Sequence, residues 1–180
     1  MFILETERLR LRRLSVDDAE FILRLLNEPS FIQNIGDRGV RTIDDARAYI
    51  LKGPIASYEK FGFGLWLVET KSAGLPIGIC GLLKRDVLED IDIGYALLPE
   101  FCSQGYAFES ASAVMAYASE KLGAKRVLAV VNPNNQSSIR LLDKIGFQYE
   151  RMIRLAVDAP EIKLFAAEVQ QQQSRTNIAC

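Results

Sequence analysis

The stretch DIDIGYALLPEFCSQGYAFESASAVMAYA, residues 90–118, changes its period part-way along. Through Leu98 it reads as a strand, and from Phe108 onward Ala111, Val114, Met115 and Ala118 recur at helical spacing. Gly105 sits at the junction. A glycine-containing turn opening a helix presents unpaired backbone N–H groups at the positive end of the helix dipole. An anion, above all a phosphate, fits there, with Gly105 and Ala107 admitting it close to the main chain and Ser103 and Gln104 adding side-chain donors. A bland tight turn accounts for the same letters. Neither the GxxxxGK[ST] spacing nor the GxGxxG fingerprint is present.

Working outward, GLWLVET (64–70), PIGICGLLKR (76–85) and DIDIGYALL (90–98) read as three strands in a meander, separated by the turn KSAGLP and the acidic link DVLED. Toward the N-terminus, residues 9–14 alternate apolar and basic side chains as a strand with one buried face. Ser15 then caps a helix carrying Phe21, Ile22, Leu25 and Leu26, and Thr42, Asp44 and Asp45 start another with Ala46, Tyr49 and Ile50. Between them, residues 30–41 turn polar and contain glycine. Toward the C-terminus, RVLAVV (126–131) is a continuous apolar run, as in a central strand covered on both faces. A short helix through Ile139, Leu142 and Ile145 closes at Gly146, and residues 147–155 and 162–169 finish as strands. The polar run from Gln170 predicts a flexible tail over 170–180, leaving one domain over 1–169.

Bulk composition excludes several classes. At 180 residues, 49% hydrophobic and 25% charged, the chain matches an ordinary globular domain, and no apolar run is long enough to span a membrane. A net charge of −1 argues against a protein whose main task is neutralising nucleic-acid phosphates. The N-terminal MFILETERLRLRR has the wrong charge order for a secretory signal, so the cytoplasm is the expected location. Three cysteines with no close pairing indicate neither a disulfide framework nor a metal site, and the chain has no histidine. Ser-His-Asp and Cys-His catalysis are thereby excluded.

The segment VNPNNQSSIRLLDKIGF (131–147) resembles the closing part of the GNAT N-acetyltransferase superfamily, and residues 90–118 resemble the acetyl-CoA motif preceding it. TERLRLRRLSVDDAEFI (6–22) resembles the opening of the ribosomal-protein N-terminal acetyltransferase (RimJ/RimL) branch. The resemblance implies an α/β fold with a mixed, mostly antiparallel central sheet, flanking helices and a splayed strand pair, and it implies acetyl-CoA as cosubstrate with no metal. The family's Q/R-x-x-G-x-G/A loop falls on Cys102, Ser103, Gln104, Gly105, Tyr106 and Ala107, with Cys102 in place of the leading Gln or Arg. Backbone near Tyr95, Ala96 and Leu97 is implied to pair with pantetheine, with Gly94 as the place where a bulge opens the fork. Asn135 is implied to contact pantetheine, and Ser138 to lie by the thioester sulfur.

The acceptor implied is a primary amine, either a peptide N-terminus or a small amine; the competing reading is a module that binds CoA or acyl-CoA without transferring acetyl. Leu142 occupies the position of the Tyr acid found in many family members, which leaves Ser138 or water as the acid, with Ser138 the first candidate; the alternative is that Ser137 and Ser138 only cap the short helix. Asp92 is the candidate base, against a surface carboxylate on a half-exposed strand. Glu109 is expected to complement the helix dipole and Cys102 to be an inert loop thiol. Trp66, Tyr95 and Phe63 are expected either to line the acceptor pocket or to be core, and residues 31–41 to select the acceptor. Asp37 and Arg38, adjacent and opposite in charge, leave the acceptor's own charge open.

Overall fold

The computed structural model describes residues 2–169. The expected polar tail lies outside them. An eight-stranded sheet runs in the order β1-β2-β3-β4-β5-β6-β8-β7, formed by Phe2–Glu5, Leu9–Arg13, Leu65–Thr70, Pro76–Leu83, Asp92–Leu97, Arg126–Val131, Gln148–Ile153 and Ile162–Glu168 taken as β1 to β8 along the chain. Every neighbouring pair is antiparallel except β5 and β6, which are parallel. Helix α5 (Tyr106–Glu120) forms the crossover between those two strands.

The meander is buried on both faces, and its side chains divide by parity. Trp66, Val68, Cys80 and Leu82 pack toward Ala111, Val114, Met115 and Ala118 of α5. Leu67 and Ile79 pack on the other side with Ile22, Leu25 and Leu26 of α1 (Ala19–Leu26) and Ala46 and Ile50 of α3 (Ile43–Ile50). Helix α3 starts in a reciprocal cap, Thr42 Oγ1 accepting from Asp45 N at 3.1 Å while Asp45 Oδ2 accepts from Thr42 N at 2.9 Å. Helix α6 (Gln136–Lys144) follows β6 and buries Leu142 completely.

Four features depart from the sequence reading. Strand β1 was not legible, because Phe2–Glu5 is too short to show a period and is held by pairing to Arg10–Arg12 of β2. Residues 29–34, expected to be part of a connecting stretch, form helix α2 (Pro29–Asn34), with Pro29 in the first turn, where its missing N–H costs nothing. The third helix runs on past Ile50: Pro54 removes a helical donor, the backbone widens into a π turn over Leu51–Ile55, and helix α4 (Ala56–Phe61) follows. Gly94 makes no bulge; it pairs in register with Gly81, and a Cβ there would meet Leu83 Cδ1 at 2.9 Å, so close packing explains the glycine.

Trp66 is core and not pocket lining. It is 1% exposed and meets Tyr117 of α5 edge-on at 5.0 Å, which fixes α5 against β3. Phe63 is likewise buried, stacked on Phe61. Trp66→Ala is expected to destabilise the fold by about 3–5 kcal/mol, read from the midpoint of a denaturant titration.

Candidate active site

Strands β5 and β6 share one paired position, Asp92 opposite Leu128, reinforced by the Leu128 N–H donating to Ile91 O at 2.9 Å. Beyond it each strand keeps to its antiparallel neighbour: β5 stays with β4 through Leu97, and β6 stays with β8 through Val131. The two halves of the sheet diverge as a fork. A cavity of about 490 Å³ opens there, lined by Ile93–Ala96 on one arm and Ala129–Asn132 on the other. Phe31, Asn34, Ile35, Arg38 and Tyr49 cover it from the helical side, and Leu155, Ala159, Pro160 and Ile162 from the β7–β8 connection. Tyr95 and Ala96 both line the cavity. Leu97 ends the strand outside the cavity lining.

Residues 102–107 lie outside this cavity, at the start of α5. Gly105 is the N-cap with φ +82°, and no side chain caps the helix. By contrast, Thr42 caps α3 and Asn135 caps α6. Helices α1, α2 and α4 also lack a side-chain cap, but α5 is the longest helix among the described residues and its first-turn N–H groups are free to take an anion. Ser103 also takes a left-handed φ of 60°, the kind of turn that gathers N–H groups into a concavity.

The side chains of the loop behave differently from expectation. Gln104 does not offer its amide outward, since Nε2 donates to Glu100 O at 2.7 Å. The direction a Cβ would take from Gly105 is filled by Arg8, whose guanidinium nitrogen lies 3.2 Å from that point, so the glycine serves backbone conformation and Arg8 packing more than ligand approach. Arg8 also covers the Tyr106 ring at 4.4 Å and donates to Gln104 O at 3.0 Å. Glu109 does more than complement the dipole: it accepts from Thr6 Oγ1 at 2.6 Å, Arg8 N at 2.8 Å and Arg8 Nε at 2.7 Å, tying the β1–β2 turn to α5. Burial, with Glu100 adding to it, pushes the Cys102 thiol up, so it stays protonated at neutral pH.

Across the fork, Asn135 rather than a serine caps α6, its Oδ1 accepting from Ser138 N at 3.1 Å and from Ser137 Oγ at 2.9 Å. The Ser138 hydroxyl is therefore free of capping, and it lies 2.7 Å from Tyr95 Oη. This hydroxyl pair joins the β5 arm to α6 at the cavity wall. Burial pushes the Tyr95 phenol up to about 12, which keeps it a donor at neutral pH. Sequence reasoning had given Tyr95 a backbone role or a place in the pocket wall; its hydroxyl partner is 43 residues away and left no local signal.

Asp92 is not a surface carboxylate. It is 0% exposed, and Arg85 Nε donates to its two oxygens at 3.1 and 3.0 Å. Burial outweighs the charge and hydrogen bond of Arg85 and the charge of Lys84, raising the acid to about 6. Asp90, expected to open the same strand, lies before it begins and pairs with Arg126 at 3.3 Å.

Residues 8–148 match the family model described as an acetyltransferase (GNAT) domain. The chain belongs to the GNAT acetyltransferase family. It is 34% identical over 154 residues to the uncharacterized N-acetyltransferase YoaA of Bacillus subtilis, covering 84% of this chain and 86% of that protein. Against YkkB of the same organism the identity is 29% over 154 residues, covering 84% and 88%. Among solved structures, an acetyltransferase of Agrobacterium tumefaciens superposes with a TM-score of 0.78 at 23% identity, covering 92% of this chain and 94% of that one. The ribosomal L7/L12 α-N-protein acetyltransferase RimL, in complex with coenzyme A, superposes with a TM-score of 0.81 at 18% identity, covering 94% and 98%.

The protein is an acetyl-CoA-dependent acetyltransferase that moves acetyl to an amine. The uncapped α5 terminus suits the cosubstrate's phosphates, and the fork suits its extended arm. Among the described residues, no cluster of three or more His, Cys, Asp or Glu is placed to hold a metal, and no helix is long and apolar enough to cross a membrane. Gly105→Ala, strained at this positive φ and pressed against Arg8, is expected to weaken acetyl-CoA binding about tenfold by calorimetry. Gln104→Ala should stay within about twofold, its amide being already engaged.

Proposed function

We propose that transfer is direct, within a ternary complex, and that Asp92 and Ser138 are its catalytic residues. The observation that carries this is the Tyr95–Ser138 hydroxyl pair at 2.7 Å on the wall of the cavity. Acetyl-CoA supplies the acetyl group as an activated thioester. The loop 102–107 takes its phosphates on backbone N–H groups; Tyr95, Ala96 and Leu97 offer main-chain partners along the arm, and Asn135 lines the far side. Tyr95 Oη donates to Ser138 Oγ, and Ser138 donates its own proton toward the departing sulfur. Tyr95 thereby acts as a positioning residue, filling in part the place left by Leu142, which is sealed in the core.

Asp92 accepts the proton of the attacking amine. An acid raised to about 6 is ionised at neutral pH yet close enough to it to exchange a proton, which is the poise a general base needs. The acceptor is a primary amine. A peptide N-terminus is favoured by the likeness of residues 6–22 to the ribosomal-protein branch and by the fold likeness to RimL. The same fold likeness extends to a spermidine N-acetyltransferase, TM-score 0.72, so fold alone does not separate the acceptors.

Thiol release from acetyl-CoA over a panel of peptides and amines tests the reading. Ser138→Ala is expected to lower kcat about 10²-fold with CoA affinity unchanged. Tyr95→Phe should lower kcat by a smaller factor, with Ser138→Ala adding little in the double variant. Equal rates in wild type and Ser138→Ala, or CoA binding with no thiol release for any amine, would overturn the assigned roles. The sign of the pH effect follows from Asp92: the ionised form is active, so kcat rises as pH climbs through about 6 and is lost below it. Asp92→Asn is expected to abolish that acid limb, while any limb set by the acceptor amine remains.

A further inference from the structure

The charged residues lining the cavity are three: Arg38, Arg85 and Asp92. Asp92 and Arg85 neutralise one another through the two hydrogen bonds already described. Asp37, which in sequence stands against Arg38 and offsets it, turns elsewhere: its carboxylate accepts from Arg41 at 2.5 Å and from Gly39 N at 2.8 Å. Arg38 is left exposed with no hydrogen-bond or ion-pair partner among the described residues. The nearby Tyr49 hydroxyl, on α3, lies within electrostatic reach of both Arg38 and Arg85, which places the two guanidiniums at the same end of the cavity. That end carries one uncompensated positive charge whenever Asp92 is ionised, and two when it is protonated.

We propose that the acceptor is a primary amine bearing a carboxylate, and that Arg38 binds this carboxylate. The inference rests on the reading of the cavity as the site of acetyl transfer. A planar guanidinium presents paired N–H donors that match the two oxygens of a carboxylate. A phosphate pairs with the same fork but brings about two negative charges, and among the described residues the lining holds only one free cation to meet them. A polyamine would set its remaining cations against Arg38, with no free carboxylate in the lining to offset them. The rest of the lining is largely apolar, including Phe31, Ile35, Leu155, Pro160 and Ile162, so the single free charge is the feature able to discriminate among amines. A cavity of about 490 Å³ that also receives part of the cosubstrate holds the amine and its carboxylate, with any further peptide projecting outward.

The test measures binding by calorimetry to the full chain saturated with CoA, where no transfer occurs. The ligands are glutamate with glutamine amide as its neutral match, and an Asp-Ala peptide amide with the Asn-Ala peptide amide as its match; spermidine and phosphoethanolamine complete the set. At least one carboxylate-bearing amine is expected to bind about tenfold or more tightly than its match, with Arg38→Gln reducing that preference to within about twofold. Thiol release with acetyl-CoA should follow the same order. Glutamate and the Asp-Ala peptide separate a free amino acid from an acidic peptide N-terminus as the source of the carboxylate. Neutral amines, spermidine or phosphoethanolamine binding as well or better would overturn the proposal, as would an Arg38→Gln variant that weakens both members of a pair alike. Binding of CoA with no carboxylate-bearing amine would defeat the carboxylate assignment alone. A folded protein that binds no CoA would defeat the reading of the cavity and this proposal with it.

Discussion

Strands β5 and β6 lie parallel, and their ladder closes at Asp92 and Leu128 and no further. Each keeps a full antiparallel ladder on its other edge, β5 to β4 over six residues and β6 to β8 over six, so the two strands part without loss to either ladder. The divergence is therefore a property of two well-made half-sheets meeting at one pair. Everything assigned to chemistry hangs on that geometry. The cavity is the space between the arms, Tyr95 reaches across it to Ser138, and α5 follows β5 with no side chain capping its first turn.

Closing the fork at Asp92 has an electrostatic consequence. A carboxylate at the apex is shielded by both half-sheets, and burial of a charge is costly unless it is paired. Arg85 supplies the pair, yet burial still prevails and lifts the acid to about 6. The same pairing removes Arg85 from the count of free cations. Asp37, by turning to Arg41, leaves Arg38 as the one that remains in the cavity lining. Charge in the site is thus set by which acid pairs with which arginine, and not by the residues present.

Much of this was legible in the letters. Period-two alternation marked the strand over 9–14, turn and acidic links set off the strands of the meander, the apolar run 126–131 marked the doubly covered strand, and Gly105 marked a helix start. Positions matching the family's motifs led to Tyr95, Ala96, Asn135, Ser138 and Asp92 before any geometry was known, and all five line the cavity. Other features gave no local sign. Strand β1 has no period of its own, and no local signal carries the helix past Ile50 into the π turn that holds Pro54. Gln104 reads as an outward donor until its amide is seen to serve Glu100 O.

The amino-acid sequence by itself determined the order and type of most elements, the glycine at the mouth of α5, and the absence of histidine that excludes Ser-His-Asp and Cys-His catalysis. These follow from short-range periodicity, backbone conformation and composition, which act over a few residues. The tertiary structure alone decided that Asp92 is buried, that Tyr95 meets Ser138, and that Arg38 rather than Asp37 gives the cavity its charge. Burial and electrostatic environment are sums over neighbours brought together by the fold, and 43 residues separate Tyr95 from the hydroxyl it meets.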